Sequence, residues 1–295
     1  MPNRAWIVPT LFACGVLGIL LVGGCCRLLP GADQTCLLPT APQSATEAQS
    51  APAAGQSLFL YCGAGIRKPV EEINALFEQQ TGVRVEPTFT GSGCALAQIE
   101  MAQKGDLFMP GEDWFMEQAV ERGRILERRT VAYFVPVIMV QRGNPHGIQE
   151  LDDLLKPGVR VGVGEPKACA IGHFTVKLME LEKIPWDELG RNVVAHFATA
   201  PELGNAVKLK AVDACIQWDS IAALYLDDAE VVPFAVDEET SSAITLGVLK
   251  TSKQPESARS YLQFMEGPEG QRIFRKHHFT LDLEDPTFPW DGERD

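Results

Sequence analysis

The sequence has no basic tract, no CxxC pair and no nucleotide-binding fingerprint. Lys and Arg number 26 against 39 Asp and Glu, a formal net charge of −13, and with no clustered cations the chain is not expected to bind nucleic acid. No GxGxxG or GxxxxGK[ST] run opens a helix after a strand, which removes dinucleotide and P-loop chemistry. The 8 cysteines show none of the close spacings of a metal site or redox pair. His277-His278 fall at the end of the last helix, where cations favour the helix dipole, and need no metal to explain them. Cys62, Cys94 and Cys169 each invite a nucleophile reading, but activation needs a neighbouring base, and only His173 is near any of them in sequence. The expectation is a binder: not an enzyme, with no catalytic residues and no cofactor.

The N-terminus carries one charge, Arg4, then an apolar run from Trp6 to Val22 that closes in Val22-Gly23-Gly24-Cys25. A charged start, a short hydrophobic segment and small residues before a cysteine mark a secretory signal over residues 1–24. The small residues before Cys25 are similar to a lipoprotein signal, so Cys25 is the expected lipid attachment; a plain transmembrane anchor is the alternative. Either reading exports the body and leaves it on the periplasmic side of a bacterial membrane. Residues 25–56 are rich in Ala, Pro, Ser, Thr and Gln and read as a flexible tether. Cys26, Cys36, Cys62, Cys94, Cys169 and Cys215 permit disulfides in an oxidising compartment, and spacing does not choose among them.

From Ser57 onward the pattern is α/β. SLFLYC, VRVEPTF and DLFMP read as strands, interleaved with the helical stretches PVEEINALFEQQ, CALAQIEMAQ and GEDWFMEQAVERG. VAYFVPVIMVQ, interrupted by Pro136, reads as a strand crossing between lobes. The alternation then restarts with VRVGVG, HFTVKLMELEK, VVAHFA, PELGNAVKLKA, ACIQW and SIAALYL; VVPFAV and SSAITLGVLK read as strands and two amphipathic helices follow. Repeated βα winding predicts mainly parallel sheets flanked by helices, in two lobes with a cleft between them. The boundaries read as lobe 1 over 57–136 and again over 234–281, lobe 2 over 137–233, and a tail over 282–295.

Three loops place small residues at helix starts: Cys62-Gly63-Ala64-Gly65, Thr90-Gly91-Ser92-Gly93, and Lys167 to Gly172. Helix N-termini present unpaired N–H groups and partial positive charge, so they attract anions without Lys or Arg. Each loop also has a plainer reading as a turn, and Ser92 as a helix cap. Trp218-Asp219, at a strand end, reads equally as cleft residues or as packing.

The runs LFLYCGAGIRKPVEEINALFEQQTGVRV, FTGSGCALAQIE, GDLFMPGEDWFMEQA, VRVGVGEPKACAIG and FMEGPEGQRIFRKHHF resemble the periplasmic molybdate-binding protein family, the cargo-capturing subunits of molybdate and tungstate ABC importers. The resemblance covers nearly the whole body. It implies a type II periplasmic-binding-protein fold, a monomer, an ABC importer permease as partner and a tetrahedral oxyanion held by hydroxyls and amides. The family's two first-lobe serines fall on Gly65 and Ser92, its second-lobe amide donors near Ile171 and Leu203, and its tyrosine on Trp218. Gly63, Ala64, Gly91, Gly93, Ala170 and Asp219 are secondary candidates. Gly65 lacks the hydroxyl, and Trp218 offers an indole N–H in place of a phenol. Gln217 and Ala168 or Cys169 stand where related binders carry metal-coordinating carboxylates, so no protein-coordinated metal is implied. Rival readings are the same fold with sulfate, phosphate or a small organic acid, a ligand-sensing module, or a secreted enzyme using Cys169 or Cys94.

Overall fold

The computed structural model describes residues 57–234, 237 and 239–284. The signal, Cys25, the tether with Cys26 and Cys36, and the tail from residue 285 lie outside the described residues. Among the described residues no helix is long and apolar enough to cross a membrane.

The chain opens with β1 (Ser57–Gly63), whose side chains are buried from Leu60 to Gly63 because strands flank it on both sides. Next comes α1 (Arg67–Thr81), which buries Val70, Ile73 and Phe77. Gly82 ends it at φ 73°, its amide donating to the Glu78 carbonyl at 2.8 Å, a left-handed stop suited to glycine. Helix α1 starts two residues before Pro69, the predicted start. Strand β2 (Arg84–Thr90) carries Pro87, which an edge strand tolerates. Then follow α2 (Ser92–Ala102), β3 (Leu107–Met109), α3 (Asp113–Glu121) and β4 (Ile125–Phe134).

VAYFVPVIMVQ is not one strand. Strand β4 begins at Ile125, ends at Phe134, and gives way after Val135 to β5 (Pro136–Gln141). Strand β4 pairs along its length with a late strand, and that long-range partner, invisible to local pattern, sets its start. The second half runs β6 (Val161–Gly164), α4 (Ala170–Leu181), α5 (Trp186–Gly190), β7 (Val193–Phe197), α6 (Ala200–Lys208), β8 (Ala214–Trp218), α7 (Asp219–Ala222) and β9 (Ala229–Val232). SIAALYL forms only the short α7 and a 3-10 turn over Ala223–Tyr225, and the described part of VVPFAV is a strand as far as Val232. The chain closes with β10 (Ser242–Leu249), α8 (Pro255–Glu266) and α9 (Pro268–Lys276).

Two five-stranded sheets result, ordered β2-β1-β3-β10-β4 and β7-β6-β8-β5-β9. In each, the first three strands are parallel, as the βα winding requires. The other side is antiparallel because its strands arrive by crossing between sheets: β10 pairs with β3 and β4, and β5 with β8 and β9. The last helices fasten to the first half through buried groups. Phe77 meets the Tyr261 ring edge-on at 5.1 Å, and the Tyr261 hydroxyl donates to Asn74 Oδ1 at 2.5 Å. A fully buried side chain of this size contributes about 1.5–3 kcal/mol.

Candidate functional site

Parallel strands that lead into helices bring their carboxyl ends, and the following helix N-termini, to one edge of a sheet. Both sheets present that edge to the same cleft. The first sheet contributes Gly63, Ala64 and Gly65 after β1, Thr90, Gly91 and Ser92 after β2, Gly111 after β3, and Phe134 at the end of β4. The second sheet contributes Cys169 and Ala170 after β6, Thr199 and Ala200 after β7, and Trp218 at the end of β8.

The lining has no charged side chain. Its polarity comes from hydroxyls and from helix starts: Ser92, Ala170 and Ala200 each hold the first position of a helix, where the N–H has no acceptor within the helix. Ser92 is not the cap of α2; Gly91 is. The Ser92 hydroxyl, 1 % exposed, accepts a hydrogen bond from the Gly111 amide at 3.0 Å, so its own proton remains available to a ligand. Trp218 serves both roles expected of it. It borders the cleft and is buried at 1 %, stacked on Phe134 at 5.0 Å and 10° and tilted against Phe174 at 4.8 Å.

Of the sequence candidates, Gly65, Ser92 and Trp218 line the cleft together with Gly63, Ala64, Gly91 and Ala170. Ile171 is buried one residue behind Ala170, at the second position of α4. Leu203 is also buried, and its amide is already used inside α6, donating to the Thr199 carbonyl at 3.2 Å. The unpaired amide at that helix start belongs to Ala200. The Gly93 amide donates to the Ala168 carbonyl at 2.9 Å. Asp219 lies under the cleft, wholly buried, and burial pushes its carboxyl up to about 7 against hydrogen bonds from the Ser220 and Val135 amides.

Thr90 and Cys169 enter the lining from two of the loops named in the sequence, and Gly111, Phe134, Thr199 and Ala200 complete it without having been picked there. Thr199 was findable. Thr199-Ala200-Pro201-Glu202 is a capping box, and in the structure the Glu202 amide donates to the Thr199 hydroxyl at 3.4 Å. Gly111 and Phe134 carry no local signal, because only the sheet order brings their strand ends to the cleft. Burial holds the Cys169 thiol up to about 12, although the Gly172 and Ile171 amides favour its thiolate, which is the reverse of nucleophile activation. Among the described residues no cluster of His, Cys, Asp or Glu has the makings of a metal site.

The two sheets touch at the cleft rim through glycine. A Cβ on Gly91 would stand 2.4 Å from the Ala168 carbonyl oxygen and 2.6 Å from that of Ala198. One on Gly93 would stand 2.0 Å from the Lys167 carbonyl oxygen. Only residues without a Cβ allow this approach.

The family model described as bacterial extracellular solute-binding protein matches residues 58–280. A binding protein of Haemophilus influenzae is 30% identical over 222 residues, covering 75% of this chain and 90% of its own. The molybdate-binding protein ModA of Rhodobacter capsulatus is 22% identical over 232 residues, covering 78% and 91%. Among solved structures, the periplasmic molybdate-binding protein of Azotobacter vinelandii superposes with a TM-score of 0.63 at 17% identity, over 76% of this chain and 99% of its own. The fold is that of the type II periplasmic binding proteins.

Proposed function

Because this chain belongs to the bacterial extracellular solute-binding proteins, we propose that its cleft captures molybdate or tungstate and delivers it to the permease of an ABC importer. The observation that carries this reading is the cleft lining: three helix starts and the Ser92 hydroxyl converge where no charged side chain is present. A dianion leaves water at great cost unless each oxygen is hydrogen-bonded, and a ring of neutral donors meets that need. Ser92 is oriented for it by Gly111. The amides of Gly65, Ser92, Ala170 and Ala200 are the companion donors, with Ala200 in the place first expected near Leu203, and the Ile171 amide, first expected as a donor, is engaged by Cys169.

Gly65 binds through its amide alone. A Cβ there would lie 3.3 Å from Ile221 Cδ1 and 3.6 Å from the Phe134 ring, so those side chains occupy the room that a larger residue would need. Trp218 offers its indole N–H, a donor only, which suits a fully deprotonated oxyanion. Cargo size then selects, since a pocket spaced for the larger oxyanions holds sulfate too loosely to keep all donors within about 3 Å.

On this reading residues 1–24 direct export, Cys25 carries the lipid, and residues 25–56 tether the two lobes, 57–136 with 234–281 and 137–233, near the membrane. A thermal-shift panel tests the cargo. A ligand at about 1,000 times its dissociation constant adds about 4 kcal/mol, so molybdate and tungstate raise the melting temperature while sulfate and phosphate do not. A flat response to all four anions defeats the oxyanion reading.

A further inference from the structure

Beside the cleft, and outside its lining, a second contact joins the two halves. Glu112 caps α3 after the first sheet's β3, and His173 lies on α4 after the second sheet's β6. Glu112 Oε2 stands 3.0 Å from His173 Nδ1, with the carboxylate side chain 6% exposed and the imidazole 26%. The two atoms are close by distance, without hydrogen-bond geometry, and among the described residues neither has a hydrogen-bond partner elsewhere. The next residue but one, Trp114, lays its ring on the imidazole at 4.2 Å and 23°, and Phe115 meets it from the side at 5.7 Å. His173 is thus held on one face and one edge by the opposite half of the molecule.

This cluster differs in kind from the glycine contact at Gly93. The glycine contact sets how closely the halves approach; the histidine contact uses specific side chains that gain partners only when the halves meet. In an opened molecule Glu112 and His173 regain water and the Trp114 stack is lost. In the closed one, removing either member leaves the other buried without its partner, an arrangement proteins strongly disfavour. Asp113, Lys177 and Tyr133 border the same open groove but are engaged or set apart: Asp113 accepts from the Thr245 hydroxyl at 2.6 Å and Lys177 donates to the Glu239 carbonyl at 2.8 Å.

We propose that Glu112, Trp114 and His173 form a latch between the lobes, positioning residues that raise ligand affinity by favouring the closed state without touching the ligand. The affinity consequence rests on the cleft being the capture site; the latch itself does not. By linkage, any contact made only in the closed form tightens every ligand that requires closure.

Two measurements separate the latch from the cargo. In ligand-free protein, hydrogen exchange is followed at residues 91–95, where the Gly93 amide is bonded to Ala168 only when the lobes meet. His173→Ala speeds exchange there about tenfold or more and leaves α8 and α9 unchanged, while His173→Gln, which keeps a donor for Glu112, restores most of the protection. In parallel, calorimetry with molybdate reads a dissociation constant weaker by about 10- to 100-fold in His173→Ala. If exchange rises throughout His173→Ala, Trp114→Ala, which changes a half-exposed side chain, answers the same question. Equal exchange at 91–95 in wild type and variants overturns the latch. Absence of molybdate binding in wild type overturns the cargo reading instead, and the exchange result then decides the latch alone.

Discussion

Asp219 and Val135 are joined twice: the Asp219 amide donates to the Val135 carbonyl at 2.8 Å, and the Val135 amide donates to Asp219 Oδ1 at 3.2 Å. Val135 is the single residue between β4 and β5, so this tie fixes the point where the chain passes from one sheet to the other. It also anchors the residue that follows Trp218 in the cleft wall.

The burial of Asp219 makes stability depend on pH in a defined direction, against the Val135 amide, which favours the ionised form. Burial raises the Asp219 carboxyl from 3.8 to about 7, so the folded protein holds this proton more tightly than the unfolded chain. The stability that this supplies is full below about pH 4 and is lost as pH rises to about 7, at about 1.4 kcal/mol per pH unit. Asp219→Asn keeps an acceptor for Val135 and cannot ionise. Denaturant midpoints between about pH 4.5 and 7.5 therefore fall with pH more steeply in wild type than in the variant; parallel profiles would show that Asp219 is not the responsible group.

Ser92→Ala removes the acceptor for the Gly111 amide and, on the proposed reading, a ligand donor. The buried orphan costs about 1–3 kcal/mol of stability, and the ligand loss weakens molybdate binding by about 5- to 150-fold. Calorimetric titration beside chemical denaturation reads the two effects separately. Unchanged affinity with lowered stability would assign Ser92 a structural role only.

Gly93→Ala blocks closure. The added methyl meets the Lys167 carbonyl only when the sheets come together, whereas in an open molecule it sits on a helix where alanine is favoured over glycine by up to about 1 kcal/mol. Affinity for molybdate should drop by about tenfold or more while far-ultraviolet circular dichroism shows the secondary structure unchanged. Full affinity in this variant would mean that the rim contact is dispensable.

Cys169 should be slow to alkylate. Its thiol, 2% exposed and pushed up to about 12, is protonated at neutral pH, whereas Cys94 is partly exposed. Peptide mass mapping after maleimide treatment should find Cys94 modified first, and molybdate should slow Cys169 further because Cys169 borders the cleft. Rapid modification of Cys169 that molybdate leaves unchanged would place that thiol outside the ligand's reach.

Much of the fold was legible because it follows from local rules. The βα alternation and the start of α1 near Pro69 were read from local pattern; the glycine stop at Gly82 and the cap of α6 at Thr199 are equally local but were not read. The early start of β4 was not legible, since its partner β10 lies more than a hundred residues away. The site divides the same way. Gly65 and Ser92 sit on loops whose small residues announce a helix start, while Gly111 and Phe134 enter the cleft only through sheet order. The Leu203 amide is engaged inside α6, because the unpaired amides of a helix lie ahead of the residue whose N–H closes its first turn.

The place of β10, between β3 and β4, constrains the order in which the molecule can assemble. Among the described strands β4 has no other neighbour in its sheet, its one further bridge being from Tyr133 to Thr280, and β10 is synthesised only after every strand of the second sheet. The second sheet, drawn from one uninterrupted stretch of chain, can complete first. Until residues 242–249 arrive, the first sheet is a three-stranded fragment with two open edges, and a chain cut short before Ser242 leaves β3 and β4 without the strand they share.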